Sequence, residues 1–332
     1  MNKLNSKNIV LVCPKFYGYE DYIADDLRKR GATVHLIFEN VDWVKLSYRF
    51  VYVYMPSKKE KLLKRYYSKH LLEVLSDLDY FIVIRGSSLS PEIMEMAKAT
   101  APKTCKFIFY QWDGIANNKT ALDIAPYFDR LSTFDINDAE TYGWNYRPLF
   151  YIPENTDSTE DKNIDVLFIC ALHSNRAKVL NKLKVLCNER GYNLKAVVHL
   201  NRFLFYKYKY LNKKPEIVDA DPKDLTFKPL TIKQSYELYS RSKIIVDYTN
   251  VHQTGYTMRT IESFGNRCKI ATNNILIRKA DFYKNENIFV YDEDEFDIPD
   301  EFIKSAYKLM PDELYQKYSL SSWIDDILGI KE

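Results

Sequence analysis

Glycine is scarce in this chain, nine residues in 332, and none of the nine falls in a GxGxxG, GxxxxGK(S/T) or GxSxG pattern. That absence disfavours dinucleotide-binding dehydrogenases, P-loop NTPases and α/β hydrolases. Cysteine is sparse as well. Five residues, Cys13, Cys105, Cys170, Cys187 and Cys268, stand far apart and form no CxxC pair, so neither a zinc site nor a disulfide framework is expected. Cys13, Cys105 and Cys170 sit in apolar runs and read as small buried hydrophobes, which fits a reducing cytoplasm. No stretch approaches the roughly 20 apolar residues of a membrane span. Met1 to Asn5 carries no apolar signal core, and the expectation is a cytoplasmic protein, soluble or peripheral. Charge of one sign is missing too: 48 basic against 45 acidic residues leave a net charge of +3. A dedicated nucleic-acid binder would carry a clear basic excess, so no nucleic-acid partner is expected, although local basic patches remain open.

What is abundant is tyrosine, 27 residues. Tyrosine suits half-wet surfaces such as clefts and interfaces, and it rises here together with Lys, Asn and Ile, as a biased genome would also produce. The length exceeds what one hydrophobic core usually organises, so two domains are expected.

The order of elements supports that division. Asn8 to Cys13 is a short, continuous, β-branched run, like a buried parallel strand. Asp21 to Arg30 reads as a helix closed by Gly31, and Thr33 to Phe38 as a second strand. Tyr48 to Leu75 is basic, aromatic and mainly helical. Strands follow at Tyr80 to Ile84, Lys106 to Tyr110, Arg130 to Phe134 and Leu149 to Ile152, with a helix opened by Ser90-Pro91 and a short one at Asn137 to Tyr142. Pro153 to Asn163 is polar and breaker-rich, the best linker in the chain. The pattern then restarts: strands at Ile164 to Cys170, Leu194 to His199, Lys243 to Tyr248, Lys269 to Thr272 and Ile288 to Tyr291. Between them lie helices at Ser174 to Arg190, Ile232 to Ser242 and from Thr257, with a basic aromatic helix or loop at Phe203 to Lys214. This predicts an α/β protein of two Rossmann-like, doubly wound domains facing across a cleft. The expected boundaries are 1–153 and 164–315, with 316–332 a C-terminal helix that packs back on the N-terminal domain.

The densest polar cluster runs from Asp247 to Glu262, just after a predicted buried strand and into a helix. Gly255 permits close backbone approach, Thr257 and Thr260 offer hydroxyls, and His252 and Gln253 lie in the loop. A helix N-terminus suits a diphosphate, and Arg259 suits phosphate bidentately. Glu262, one turn on, is placed to accept two ribose hydroxyls. The plainer reading is a capped helix with Thr257 as N-cap. A second cluster, Phe168 to Arg176, contains His173, Ser174 and Arg176. A cation in the first turn of a helix opposes the dipole, which a bound anion would explain; a surface Arg paired with a carboxylate explains it equally well. Lys228 ends an extended run and is within reach of the same phosphates or is simply solvated.

The third cluster is Tyr110-Gln111-Trp112-Asp113-Gly114, at the carboxyl end of a strand. Asp113 is the candidate general base or a turn residue capping its own backbone. Trp112 offers a face for a sugar ring. Arg85, after the Tyr80 to Ile84 strand, points to the same rim, and Arg85, Gln111 and Trp112 are the acceptor-side candidates. Asp135 and Asp138 read as helix caps. Asp219-Ala220-Asp221 matches a metal-binding DxD triplet by chance, and no ligand spacing suggests a metal.

These stretches resemble GT-B-like proteins of bacterial lipopolysaccharide and capsular polysaccharide biosynthesis loci, distantly similar to spore-coat CgeB-type proteins. The resemblance rests on Phe109 to Asp113, Phe128 to Asp135 with Asp138-Ala139, Phe168 to Arg176, His252 to Glu262 and Lys269 to Asn273, in family order over most of the chain. It implies a glycosyltransferase that uses a UDP-, GDP- or CMP/CDP-linked sugar and a glycan or lipid-linked acceptor, with no cofactor and no metal. It implies a donor site in the second domain, with Arg176 and Lys228 on phosphate and Glu262 on ribose, and an acceptor site in the first. Cys170 is a departure, standing where the family strand usually ends in Gly. Lys58 to His70, with Lys, Arg and Tyr side by side, then suits the anionic inner face of the cell membrane, or is a solvated basic helix. Rival readings are a nucleotide-sugar 2-epimerase, a CDP-polyol phosphotransferase and a basic, Tyr-rich binding module.

Overall fold

The computed structural model describes residues 4–39, 56–153, 162–172, 175–211, 224–250 and 253–330. The chain divides into two compact units, Met1–Pro148 with Leu320–Glu332, and Leu149–Ser319. Most of the expected linker falls outside the described residues.

The first unit is built on a six-stranded sheet in which every strand pair is parallel. Its strands are β1 (Asn8–Cys13), β2 (Thr33–Phe38), β3 (Tyr80–Ile84), β4 (Lys106–Gln111), β5 (Arg130–Thr133) and β6 (Asn145–Tyr146), in the spatial order β2-β1-β3-β4-β5-β6. The strands that read as unbroken apolar runs, β1, β3 and β4, lie in the middle, where both faces are covered. One core gathers Val10, Val12, Phe81, Val83, Phe107 and Phe109 under the helices Pro56–Leu71 and Pro91–Thr100. The helix Pro56–Leu71 turns Leu63, Tyr67 and Leu71 into this core and Lys58, Lys61, Lys64, Arg65, Lys69 and His70 to solvent. Tyr67 shares a hydrogen bond with Ser88 at 2.6 Å, and Tyr66 donates to the Phe38 carbonyl at 3.0 Å.

The last helix, Leu320–Leu328, belongs to this first unit. Trp323 is fully buried there, edge-on to Tyr110 at 4.7 Å. Arg147 pairs with Asp326 at 2.9 Å, and Arg30 reaches Asp325 and Ser321. Apolar burial anchors this helix, and the ion pairs fix its register.

The second unit repeats the plan with β7 (Ile164–Ala171), β8 (Leu194–His199), β9 (Leu225–Thr226), β10 (Ser242–Asp247), β11 (Lys269–Thr272) and β12 (Ile288–Val290), all parallel, in the order β12-β11-β10-β7-β8-β9. Its core gathers Val166, Phe168, Leu183, Ile244, Val246 and Ile303. Lys269 is buried at the start of β11 and donates to the carbonyls of Phe302, Ile303 and Ser305, which cap the helix Asp300–Lys304.

The expected strand at 149–152 is corrected. Tyr151 makes one isolated bridge to Ser319 and no ladder. Its N–H donates to the Tyr318 carbonyl, and the Ile152 N–H donates to the Tyr236 hydroxyl, so neither donor is left for a neighbouring strand. The edge strands β6 and β9, two residues each, carry no alternation long enough to be read from sequence.

Candidate functional site

In open α/β sheets, ligands sit outside the carboxyl ends of the strands where the strand order reverses. In the second unit that point lies between β7 and β10. The chain leaves β7 for β8 on one side and leaves β10 for β11 on the other. The two polar clusters of the sequence follow these two strands, so the sheet brings them together.

Asp247, the last residue of β10, is fully buried. The Nε of Arg259 lies 2.5 Å from its Oδ1, and the Thr257 hydroxyl donates to its Oδ2 at 2.7 Å. Burial works to raise the Asp247 carboxyl, but Arg259, Thr257 and Arg176 outweigh it and hold the group below the ordinary carboxylate range. Thr257 is also the N-cap of the helix Met258–Gly265. Its side chain accepts the Thr260 N–H at 3.2 Å.

Arg176 opens the helix Arg176–Arg190 after β7. It is 8% exposed and donates to the carbonyls of Ala171, the last residue of β7, and Tyr248, directly after β10. Burial first, then repulsion from Arg259, lowers its guanidinium to about 10. Neither helix carries an acidic residue in its first turn, and the N-cap Asn175 makes no side-chain capping bond. Among the described residues, the edge therefore gathers two guanidinium groups and two helix N-termini around Asp247, the carboxylate that acts on both guanidinium groups. Such a surplus of positive charge suits an anion.

The remaining candidates are dispersed around this point. Gly255 is buried, and its carbonyl accepts from Asn274 at 3.4 Å. Gln253 is half-buried, with its N–H on the Asn250 carbonyl. Thr260 shares a 3.1 Å hydroxyl contact with Thr257. Glu262 is buried one turn deeper, and Tyr239 donates to it at 3.0 Å. Burial, then Glu262, pushes the Tyr236 and Tyr239 hydroxyls well up. Lys228 is exposed two residues past β9, two strands away from β7. His173, Ser174 and His252 lie outside the described residues, as does the Asp219-Ala220-Asp221 triplet.

In the first unit the order reverses between β1 and β3. Arg85, directly after β3, is left-handed at φ 72. Its N–H donates to the Tyr110 carbonyl, and its own carbonyl accepts from Asn118 at 2.8 Å and Gln111 at 3.5 Å. That strain holds the side chain between two carboxylates. The Arg85 Nε lies 2.8 Å from Asp113, and its Nη1 lies 3.4 Å from Glu39. Burial raises both acids, Glu39 to about 7, while Arg85 pulls each back. Glu39 also accepts the Ser87 N–H at 2.8 Å and its hydroxyl at 3.0 Å. Gln111 is buried and accepts the Asp113 N–H at 3.2 Å. Trp112 is largely buried, 5.6 Å from the half-exposed Phe16 ring. Asp135 caps the helix Ile136–Tyr142, and Asp138 accepts the Ile115 N–H at 2.8 Å. Among the described residues, no group of three His, Cys, Asp or Glu gathers as a metal site.

Sequence reasoning assigned no site role to three residues here. Asp247 was legible as a charge closing an apolar strand. Asn273, whose side chain clamps both the N–H and the carbonyl of Thr249, lies at the end of β11. Glu39 follows β2 with no motif around it.

No family model and no curated protein sequence matches the chain. Solved structures do. The Anabaena HepE protein, in complex with UDP and glucose, has a TM-score of 0.55 at 10% identity over 97% of this chain and 98% of that one. A glycosyltransferase from Rickettsia africae has 0.53 at 11%, over 98% and 100%. The UDP-GlcNAc 2-epimerase of Neisseria meningitidis, bound to UDP-GlcNAc, has 0.53 at 11%, also over 98% and 100%. The chain has the GT-B fold. At these identities the likeness concerns the fold, which glycosyltransferases and epimerases share. No helix among the described residues is long and apolar enough to cross a membrane.

Proposed function

We propose that this GT-B chain is a glycosyltransferase whose second unit binds a nucleotide-sugar at the β7/β10 switch point. The observation that carries the reading is the buried Arg176 and the partly buried Arg259 around the Asp247 carboxylate, beside two helix N-termini. A diphosphate supplies the missing negative charge. Gly255, Thr257 and Thr260 line the same turn, and Glu262 is the ribose candidate, with Lys228 an outer phosphate contact. The structural neighbours that hold UDP or a UDP-sugar support a nucleotide donor.

The first unit is the proposed acceptor side, with Arg85, Gln111 and Trp112 around Asp113. Asp113 takes the proton of the attacking hydroxyl. The hydroxyl oxygen bonds to the anomeric carbon as the bond to phosphate breaks, and the departing diphosphate keeps the electron pair. Burial raises the Asp113 carboxyl, as suits a base, and Arg85 offsets part of that rise. The proposed acceptor is a lipopolysaccharide or capsule glycan, or its lipid-linked precursor. The exposed basic face of Pro56–Leu71 then serves an anionic membrane surface.

The testing experiment is titration calorimetry with UDP, GDP, CDP and CMP on the wild-type protein and on Arg176→Gln. Binding of one nucleotide that weakens at least tenfold in the variant supports the site; equal binding by both proteins sinks it. The epimerase neighbours motivate a second reading. Conversion of UDP-GlcNAc to its 2-epimer without any acceptor would establish that reading instead.

A further inference from the structure

A second surface lies at the carboxyl edge of the second sheet, past β8. After β8, Asn201 caps a short helix, Arg202–Tyr206, through the N–H groups of Phe203 and Leu204. The chain then widens into a π-helical turn, Lys207–Leu211. One side of this segment is anchored. Phe205 is buried, 5.4 Å from the Phe227 ring, with Leu200, Leu204 and Tyr208 packed beside it.

The other side is apolar and bare. Phe203 is 65% exposed, Tyr206 52%, Tyr210 63% and Leu211 78%, and Tyr206 stacks on Tyr210 at 6.1 Å. Single exposed apolar residues are ordinary, but four within nine positions form a patch that calls for an occupant. The described segment is also basic: Asn201 to Leu211 holds Arg202, Lys207 and Lys209 and no acidic residue. Aromatic and aliphatic side chains ringed by Lys and Arg match the boundary of an anionic bilayer, where rings sit at headgroup depth and cations meet lipid phosphates. A single-stranded nucleic acid would use stacking faces and cations, but it would leave Leu211, the most exposed of the four, without a partner. The basic helix Pro56–Leu71 differs on this point, since Tyr67 is buried and Tyr66 half-buried.

We propose that the outward face of residues 203–211, bearing Phe203, Tyr206, Tyr210 and Leu211 with Lys207, inserts into the interface of an anionic membrane. This is independent of the sugar-transfer reading, because vesicle binding is measured without donor or acceptor. The full chain is sedimented with vesicles of 70% phosphatidylcholine and 30% phosphatidylglycerol, and with pure phosphatidylcholine vesicles. Partition onto the anionic vesicles at least tenfold above the neutral ones is expected. The combined change Phe203→Glu, Tyr210→Glu and Leu211→Glu lowers it at least tenfold with an unchanged melting temperature, since all three side chains are exposed. Leu211→Glu alone lowers it severalfold. A Phe203→Trp reporter gains quenching by brominated lipid beyond that of the wild type. No partition, no preference for the anionic vesicles, or partition unchanged in the triple variant overturns the proposal. So does loss of partition only when Lys58, Lys61, Lys64, Arg65 and Lys69 are changed to Ala. Binding of an oligonucleotide in place of vesicles, or a dimer in solution that the triple change dissolves, also overturns it.

Discussion

The partly buried Arg259 pairs with the fully buried Asp247 at 2.5 Å, with the carboxylate ending β10 and the guanidinium in the first turn of the helix that follows. The pair joins strand to helix across the loop that carries Gln253 and Gly255. The Nε of Arg259 is engaged by Asp247, and Arg176 is the second cation at the same edge. Removing one partner of a buried pair strands the other charge. Arg259→Met is therefore expected to cost about 3 kcal/mol, read by urea denaturation. Arg176→Gln relieves one repulsion but also removes hydrogen bonds to two carbonyls, and is expected to cost less, about 1 kcal/mol, while losing nucleotide affinity. Equal stability loss in the two variants would contradict this division of roles.

Glu39 predicts a pH dependence. Its folded carboxyl is raised to about 7 from an ordinary 4.5, by burial and then against the pull of Arg85 and Ser87. Between those values the folded state holds more protons than the unfolded state, so this group's stabilisation is present below 4.5 and is lost as pH rises through about 7. Glu39→Gln is expected to flatten that slope, which is worth on the order of 3 kcal/mol. Unfolding free energies at pH 5 and pH 8 check it. A wild-type slope that persists in the variant assigns the titration to another group.

Arg85 tests whether backbone strain is stored at the acceptor edge. The left-handed conformation at φ 72 costs a Cβ-bearing residue energy that glycine escapes. Arg85→Gly is expected to be more stable than Arg85→Ala by about 1 kcal/mol, with both variants losing the Asp113 contact. Calorimetric melting of the two proteins makes the comparison, and identical midpoints would show that the site carries no strain.

Gly265 closes its helix directly against Tyr151, so that a Cβ there would lie inside the Tyr151 ring. Gly265→Ala is expected to destabilise by about 2 kcal/mol through overpacking. Adding Tyr151→Leu should return part of that loss, a coupling that a double-mutant cycle reads directly. Strict additivity would mean that the two residues do not meet.

Several parts of the fold were open to reading in one dimension. β1, β3, β4, β7 and β10 are apolar runs of strand length, and such runs are what a sheet covered on both faces requires. Thr257 and Asp135 announce helix starts because capping is a contact within four residues. The two-residue strand β6 escaped notice, and β9 was met only as the extended run before Lys228. A run of that length has no period, and it pairs only because a neighbour presents free backbone groups. Residues 149–152 misled in the opposite direction: an apolar run was buried without a strand partner, its donors taken by Tyr318 and Tyr236. Glu39 carried no local signal, since its burial is made by Ser87 and Arg85, which are distant in the chain.

The sequence by itself determined the alternation of buried strands and capped helices, its restart midway, and the placing of polar clusters just after strands. Each of these follows from local pattern, because side-chain period and caps act within a turn or two. Only the tertiary structure decided that β10 lies beside β7, which sets Arg176 and Arg259 around one carboxylate, and that the last helix returns to the first unit through Trp323 and Tyr110. Strand order and helix return are choices among distant surfaces. They are settled by which apolar faces can be covered together, and no local stretch of residues records that outcome.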